Sequence, residues 1–516
     1  MEIKRESRVK KSILNAKVNL TFYFAILVLS FFSRRIFLEN LGADFIGLTT
    51  TLQNLLGFLN LAELGVAGAI GYVLYQPLYD GNKEKIIQII SVFGFLYRRI
   101  GIVILIAGGV LSLFLPLIFK NIEIEFGIVY FAFYSFLISS LIGYFANYKQ
   151  TLLAADQRNY IVTAYFQSAS ILRICIQMMV AYNTKSYFWW IFIELVFGFI
   201  HSYILNWKIN KVYPWLKSEI KMGRQLLKQY PEIIRYTKQL FIHKIAGFIQ
   251  FQTNPFIIYA YTSLSMVTSY GNYMMIINSL LNFINKFLGS TEAAIGNLVS
   301  SHDQNKILGV YRELTAIRYF IAGIEVFGLY TFSAAFISLW VGAEYVLSDV
   351  TVLLIIVYIF IMQTRGTNDQ FIYAYGLFND VWAAITEMII SLGMAIFMGY
   401  YFGLPGVLSG GIIGMLLIVS GWKPYFLFSR GFNLSVWCYW KVILKLLAII
   451  LISVVFVHHL KSAIFPKFPD SFVTLVIQSL CTSAIFAIVS FGLLFCLDAG
   501  MREFICRMKK QVLKTK

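Results

Sequence analysis

Apolar runs about 20 residues long, separated by short charged loops, recur along the whole chain. They predict about fourteen helices, starting roughly at residues 15, 45, 94, 126, 160, 186, 238, 264, 315, 349, 380, 404, 438 and 470. The fold class that follows is an all-α polytopic membrane protein. Polar residues interrupt these runs with helical spacing. On the second helix Gln53, Gly57, Asn60 and either Glu63 or Leu64 share one face. The eighth repeats the rhythm with Asn278, Asn282 and Asn285, Lys286 alongside, and the seventh offers His243, Gly247, Gln250 and Asn254, with Lys244 and Gln252 flanking. The first helix is weaker, with Asn19, Tyr23, Ser30 and Ser33. Amides facing hydrocarbon would have no hydrogen-bond partners, so the stripes are expected to turn inward and line a polar cavity. The alternative is interhelical bonding alone, worth about 0.6–2 kcal/mol per bond.

The stripes belong to a repeat. Ala69-Ile70-Gly71 matches Ala294-Ile295-Gly296, an offset of 294 − 69 = 225 residues that also sets Gln53 on Asn278 and Asn60 on Asn285. Further on, Asp80, Asn82 and Lys83 answer Asp303, Asn305 and Lys306, and Arg98 answers Arg318. Six helices precede the second copy, so the copies are read as parallel lobes related by an axis along the membrane normal. The expected organisation is an N-terminal lobe over 1–210, a basic amphipathic linker over 211–237, a C-terminal lobe over 238–430, and two extra helices with a basic tail over 431–516.

Composition agrees with a chain that lives in the bilayer: 59% of the 516 residues are hydrophobic and 13% charged, with mean hydropathy +0.72. No polar stretch is long enough for a separate soluble domain. The net charge of +18 is scattered between spans, which sets nucleic-acid binding aside and fits an orientation signal. Glu39, Asp44, Glu123, Glu125, Glu344 and Asp349 then fall outside, while Lys149, Arg158, Lys423, Arg430 and the tail fall inside, making both termini cytoplasmic. Arginines follow the first apolar run, which reads as an uncleaved span. The largest inside loop carries Lys208, Lys211, Lys217, Lys221, Arg224, Lys228, Arg235 and Lys238 against Glu219 and Glu232. It reads as a topology signal with an interfacial helix, or as a contact for anionic headgroups or a substrate phosphate.

Charges at membrane depth are the candidate chemistry. Arg173 is the clearest isolated cation, with Glu194 as its structural partner if it has one; Arg365 and Asp369, four apart, form an internal pair or a cavity site; Glu325 and Glu387 show no partner in the sequence. The five cysteines have no C-x-x-C spacing, so neither a disulfide nor a metal site is expected. Aromatic clusters such as Tyr187-Phe188-Trp189-Trp190 read as interfacial belt residues. The outside loops are short, His458-His459 is read as interfacial, and G-x-x-x-x-G-K-[ST] is absent, so neither an enzyme nor an ATP-driven exporter is expected.

The stretch LGADFIGLTTTLQNLLGFLNLAELGVAGAIGYVLYQPLYDGNKEKI, residues 41–86, resembles the first hairpin of polysaccharide-export flippases of the Wzx type, in the multidrug/oligosaccharidyl-lipid/polysaccharide exporter superfamily. The shared features are LG-x-x-x-[IY]-GL, a helix, an acidic residue before LG, an Ala-Ile pair and a charged loop with Asn-Lys. The resemblance implies two six-helix lobes, often with two extra helices, working by alternating access. It implies carriage of an undecaprenyl-pyrophosphate-linked oligosaccharide to the outer leaflet of a bacterial inner membrane, for a surface polysaccharide such as the O-antigen of lipopolysaccharide. Membrane lipids, a polysaccharide polymerase and chain-length machinery are the implied partners. Cations in the cavity of such proteins make Arg173, His243, Lys244, Lys286 and Arg365 the candidates for the phosphates, with the amides suited to sugar hydroxyls. Glu63 is expected either to pair with a cation such as Lys286 or to bind a coupling H⁺ or Na⁺; no other cofactor is expected. The rival readings are an ion-coupled multidrug antiporter of the same superfamily and a membrane-embedded glycan polymerase or ligase.

Overall fold

The computed structural model describes residues 8–514 apart from 64, 65, 121, 157, 290–294, 296, 297, 300, 301, 378 and 379. All regular structure among them is helical. Ten helical segments of the described residues are long and apolar enough to cross a membrane, so the chain is a multi-pass membrane protein. The chain divides into two compact units, Met1–Thr268 and Ser269–Lys516.

The first unit holds α1 (Arg8–Leu41), α2 (Ala43–Leu59), α3 (Val66–Asp80), α4 (Lys83–Ser112), the short α5 (Leu115–Ile118), α6 (Phe126–Ala146), α7 (Gln150–Ala155), α8 (Asn159–Thr184), α9 (Tyr187–Val212), the short α10 (Gly223–Leu227) and α11 (Pro231–Tyr261). The division at residue 268 lies one helix beyond the expected linker, because α11 packs on α2 and α3. Three glycines of the 41–86 stretch have a backbone role, among them Gly81 with φ +68° in the turn before α4. Gly42 takes φ +81° between α1 and α2, a conformation that disfavours any residue with a Cβ. At Gly47 a Cβ would sit 2.2 Å from the Leu264 carbonyl oxygen, so the absence of a side chain is what lets the backbones approach. The second predicted helix is not continuous. It ends at Leu59, and a 3₁₀ turn, Asn60–Glu63, precedes α3, so the helical stripe drawn through Glu63 stops at Asn60.

The linker after α9 is not a free tether. Glu219 N donates to Ser91 Oγ at 2.9 Å, Tyr230 Oη to Gln88 Oε1 at 2.7 Å, and the Tyr148 and Ser218 hydroxyls meet at 2.8 Å. Gly94 of α4 accommodates Ile220, and Gly223 accommodates Phe95, each too close for a Cβ.

The second unit begins within α12 (Leu264–Gly289) and continues with α13 (Gln304–Trp340), α14 (Asp349–Thr364), α15 (Gly366–Ala374), α16 (Val381–Met415), the short α17 (Lys423–Phe426), α18 (Trp437–Ile464), α19 (Phe472–Leu497) and α20 (Ala499–Lys514). The repeat reappears in the caps: Asn82 accepts from Lys85 N at 3.0 Å to start α4, and Asp303 accepts from Lys306 N at 3.2 Å to start α13. These caps pair Asn82 with Asp303, two residues away from the sequence match of Asp80 with Asp303. Helices expected at 380 and 404 are the two arms of α16. The chain turns back at Gly403, φ +59°, with Pro405 opening the second arm. Gly406, Gly410 and Gly414 form one face of that arm, where added Cβ atoms would fall 2.0 Å from Met398 O, 2.1 Å from Ala395 N and 2.1 Å from Ser391 Oγ. This small-residue stripe lets the arms pack backbone to backbone.

Candidate functional site

In the first unit the break after α2 brings Glu63 against α4 and α6. Tyr97 Oη donates to Glu63 Oε1, and Tyr144 Oη lies 2.7 Å from Glu63 Oε2. The Tyr144 hydroxyl is also 2.9 Å from Asn60 Oδ1, to which Ser140 Oγ donates at 3.3 Å. Each carboxylate oxygen thus has a phenol donor, the charge-assisted arrangement that holds an anion away from water. Among the described residues the partners of Glu63 are therefore phenols, and the side chain of Lys286, its expected cation, lies outside them. Nothing in the spacing of the sequence points to Tyr144, which lies 81 residues away.

Arg173 of α8 is not isolated. Its Nη1 donates to Glu194 Oε1 of α9, and Gln177 Nε2 donates to Glu194 Oε2 and to Trp190 O, both at 3.1 Å. The side chains of Arg173 and Glu194 are 23% and 15% exposed. Gln177 lies one helical turn beyond Arg173, a spacing that could have flagged it. Asn19 of α1 accepts from Thr163 Oγ1 of α8 at 2.9 Å, an interhelical bond with no ionised group.

In the second unit Arg365 Nε is 2.7 Å from Asp369 Oδ2, the internal pair that the spacing allowed, and Arg365 Nη1 is 4.0 Å from Glu387 Oε1. Glu387 therefore has the cation that the sequence did not reveal. Glu325 Oε2 accepts from Gln363 Nε2 at 2.8 Å, and the Gln363 carbonyl accepts from Arg318 Nη1 at 3.4 Å. Tyr311 Oη donates to Asn368 Oδ1 at 2.6 Å, and Lys423 pairs with Asp380 at 3.0 Å. Cytoplasmic placement was expected for the tail; the structure adds that α20 is tied down by Arg507 to Glu313 at 2.6 Å, and that Asp498, just before its start, pairs with Lys445 at 2.7 Å.

The stripe residues divide by exposure. Gln53, Asn278 and Asn282 are exposed, while Asn60, Glu63, Asn254, Arg173, Arg365 and Asp369 are half-buried. The side chains of His243, Lys244, Gln250, Asn285 and Lys286 lie outside the described residues. Among the described residues no group of His, Cys, Asp and Glu side chains is placed to hold a metal ion.

Fold and polar assemblies together define an all-helical, multi-pass membrane protein that carries ionised and amide groups inside its bundles. Its fold is similar to that of the lipid II flippase MurJ in an inward closed conformation, with TM-score 0.64 and 16% sequence identity, covering 94% of this chain and 99% of that one. A MATE crystal structure covers 81% of this chain and 96% of its own at 15% identity and TM-score 0.49. A mutant of the Vibrio cholerae MATE transporter VcmN covers 82% and 99% at 13% identity and TM-score 0.46. No protein-family model matches the sequence, and the comparison with curated proteins finds no match.

Proposed function

We propose that this chain is a flippase that carries an undecaprenyl-pyrophosphate-linked oligosaccharide from the cytoplasmic to the outer leaflet by alternating access. The observation that carries the proposal is the fold shared with a lipid II flippase over 94% of the chain. The physics of the cargo supports it: a pyrophosphate and many hydroxyls cannot enter hydrocarbon unaided, whereas the polyprenyl tail can stay there, so the protein has only the head to shelter. In this reading Gln53, Asn60, Gln250, Asn254, Asn278, Asn282 and Asn285 serve the sugar hydroxyls, and His243, Lys244 and Lys286 serve the phosphates. Arg173 and Arg365 already face Glu194 and Asp369, so their proposed part is to fix helices. The reading places the protein in a bacterial inner membrane, upstream of a polysaccharide polymerase.

One observation favours the second reading, an ion-coupled organic-cation antiporter: among the described residues the hydrogen bonds to Glu63 come from phenols and not from a cation, an environment suited to a carboxylate that exchanges H⁺ or Na⁺. The deciding experiment is reconstitution into liposomes with a fluorescent polyprenyl-pyrophosphate oligosaccharide and an impermeant quencher. Protein-dependent loss of leaflet protection supports the flippase. A rate equal to that of protein-free liposomes, with ion-driven efflux of an organic cation in the same preparation, supports the antiporter.

A further inference from the structure

The stretch 208–238, made of the end of α9, the loop after it and the start of α11, carries eight cations against two acids, and the structure separates its two faces. One face is fixed to the protein: Tyr213, Leu216 and Ile233 are 6%, 5% and 0% exposed, and three polar contacts join the segment to Gln88, Ser91 and Tyr148. The other face holds Lys217, Lys221, Arg224 and Lys228, all exposed. No ion pair among the described residues engages these four cations. Two large apolar side chains stand among them in the open, Met222 at 45% and Ile234 at 37%.

A solvated loop would gain nothing from exposed Met and Ile, and a buried one would not tolerate four unpaired cations. The combination of apolar side chains with a surplus of Lys and Arg, held rigid on one face, suits the boundary between headgroups and acyl chains. We propose that this plate docks on the anionic phospholipid headgroups of the leaflet against which it lies, the cations meeting phosphate and the two apolar side chains entering the acyl boundary. The proposal does not depend on what the protein transports. Because the plate is pinned to α4, its docking also sets the depth of that helix end in the membrane. Each cation brought near an anionic surface strengthens association about fivefold, and screening removes much of that at high salt.

The test uses the full-length protein in detergent micelles doped with phosphatidylglycerol or phosphatidylcholine, with bound lipid counted by native mass spectrometry. The variant K217Q/K221Q/R224Q/K228Q is expected to lose phosphatidylglycerol affinity at least about tenfold while phosphatidylcholine binding is unchanged. Removing cations elsewhere, as in K120Q/K185Q/K467Q, is expected to leave both unchanged. Raising salt from about 0.05 M to about 0.5 M should erase the wild-type preference for phosphatidylglycerol. That arm needs no variant to fold. Three results overturn the proposal: a quadruple variant that keeps its phosphatidylglycerol affinity, a wild-type preference that ignores salt, or displacement of the lipid by inorganic phosphate at about 10 mM, since that concentration adds little screening and would reveal a discrete phosphate pocket.

Discussion

Replacing Glu194 by leucine asks whether Arg173 exists to hold helices or to meet a ligand. The ion pair joins α8 to α9 with side chains 23% and 15% exposed, well shielded but not sealed. Removing the carboxylate leaves the guanidinium without its counter-charge at membrane depth and takes one of the two acceptors from Gln177. Breaking a buried pair costs about 3–5 kcal/mol, and an arginine at the centre of a helix in a bilayer costs about 3 kcal/mol on insertion scales. With the residual exposure, about 3 kcal/mol is expected for E194L. The double variant R173L/E194L leaves no unpaired charge and adds apolar surface facing apolar neighbours, so it should return to within about 1 kcal/mol of the wild type. R173L strands the Glu194 carboxylate with only Gln177 as its donor among the described residues and is expected to cost about 2 kcal/mol, so the coupling between the two sites is about 3 + 2 − 1 = 4 kcal/mol. Reversible unfolding in mixed micelles of the wild type, the two single variants and the double variant measures it. A double variant whose loss equals the sum of the two single losses, giving no coupling, would refute the structural role. So would a double variant that is stable yet inactive in the flipping assay, because Arg173 would then be needed by the cargo.

Gly410→Ala should destabilise the protein by about 2 kcal/mol, since its Cβ would fall 2.1 Å from Ala395 N and no rotamer relieves a backbone clash; Gly393→Ala, with nothing within 4 Å, should be neutral or stabilise by up to about 1 kcal/mol, and thermal unfolding in one detergent compares them. Tyr144→Phe removes one of the donors to Glu63 and should cost about 1–2 kcal/mol by the same measurement; no change would mean that the phenol does not hold the carboxylate. The Lys306 ammonium bonded to Asp303, with the Lys306 backbone N–H, holds that carboxyl below the ordinary carboxylate value of 3.8. A depressed acid stabilises the fold above its unfolded-state value and loses that contribution as pH falls through its folded one. The cap of α13 is therefore expected to be insensitive to pH between about 5 and 8, and the stability difference between wild type and D303N should change only on acidification below about 4; a change near neutrality would contradict the assignment.

How much of this was legible in the sequence depends on how far apart the partners lie. Arg173 and Glu194 stand on adjacent helices at similar distances from the turn at Lys185, so their pairing could be proposed from sequence. Arg365 and Asp369 are one helical turn apart and were equally readable. The partners of Glu63 were not, because Tyr97 and Tyr144 come from two other helices and contribute no charge to notice. The stripe through Gln53, Gly57, Asn60 and Glu63 assumed one helical period, which the 3₁₀ turn at Asn60–Glu63 breaks. The reversal at Gly403 was readable as two helices because Gly-Leu-Pro-Gly is turn chemistry inside an apolar run. The resemblance to polysaccharide flippases conveyed an all-helical transporter-type fold, and the similarity to MurJ supports that architecture; a cargo is recognised by a few side chains, which fold similarity does not specify.

The placement of charge makes one further step possible. Among the described residues five cations of the bundles meet acids: Arg173 meets Glu194, Arg365 Asp369, Lys423 Asp380, Lys445 Asp498 and Arg507 Glu313. Such pairs contribute nothing to a net charge of +18, so the surplus must come from elsewhere, and the stretch 208–238, from the end of α9 to the start of α11, alone supplies 8 − 2 = 6 of it. Charges inside the bundles are poorly screened and govern which helices stay together; charges on that segment are screened within about 10 Å at 0.1 M salt. Ionic strength should therefore separate the two roles. Raising salt should leave unfolding of the wild type nearly unchanged while weakening its hold on anionic lipid, and loss of both together would mean that the surface charges also support the fold.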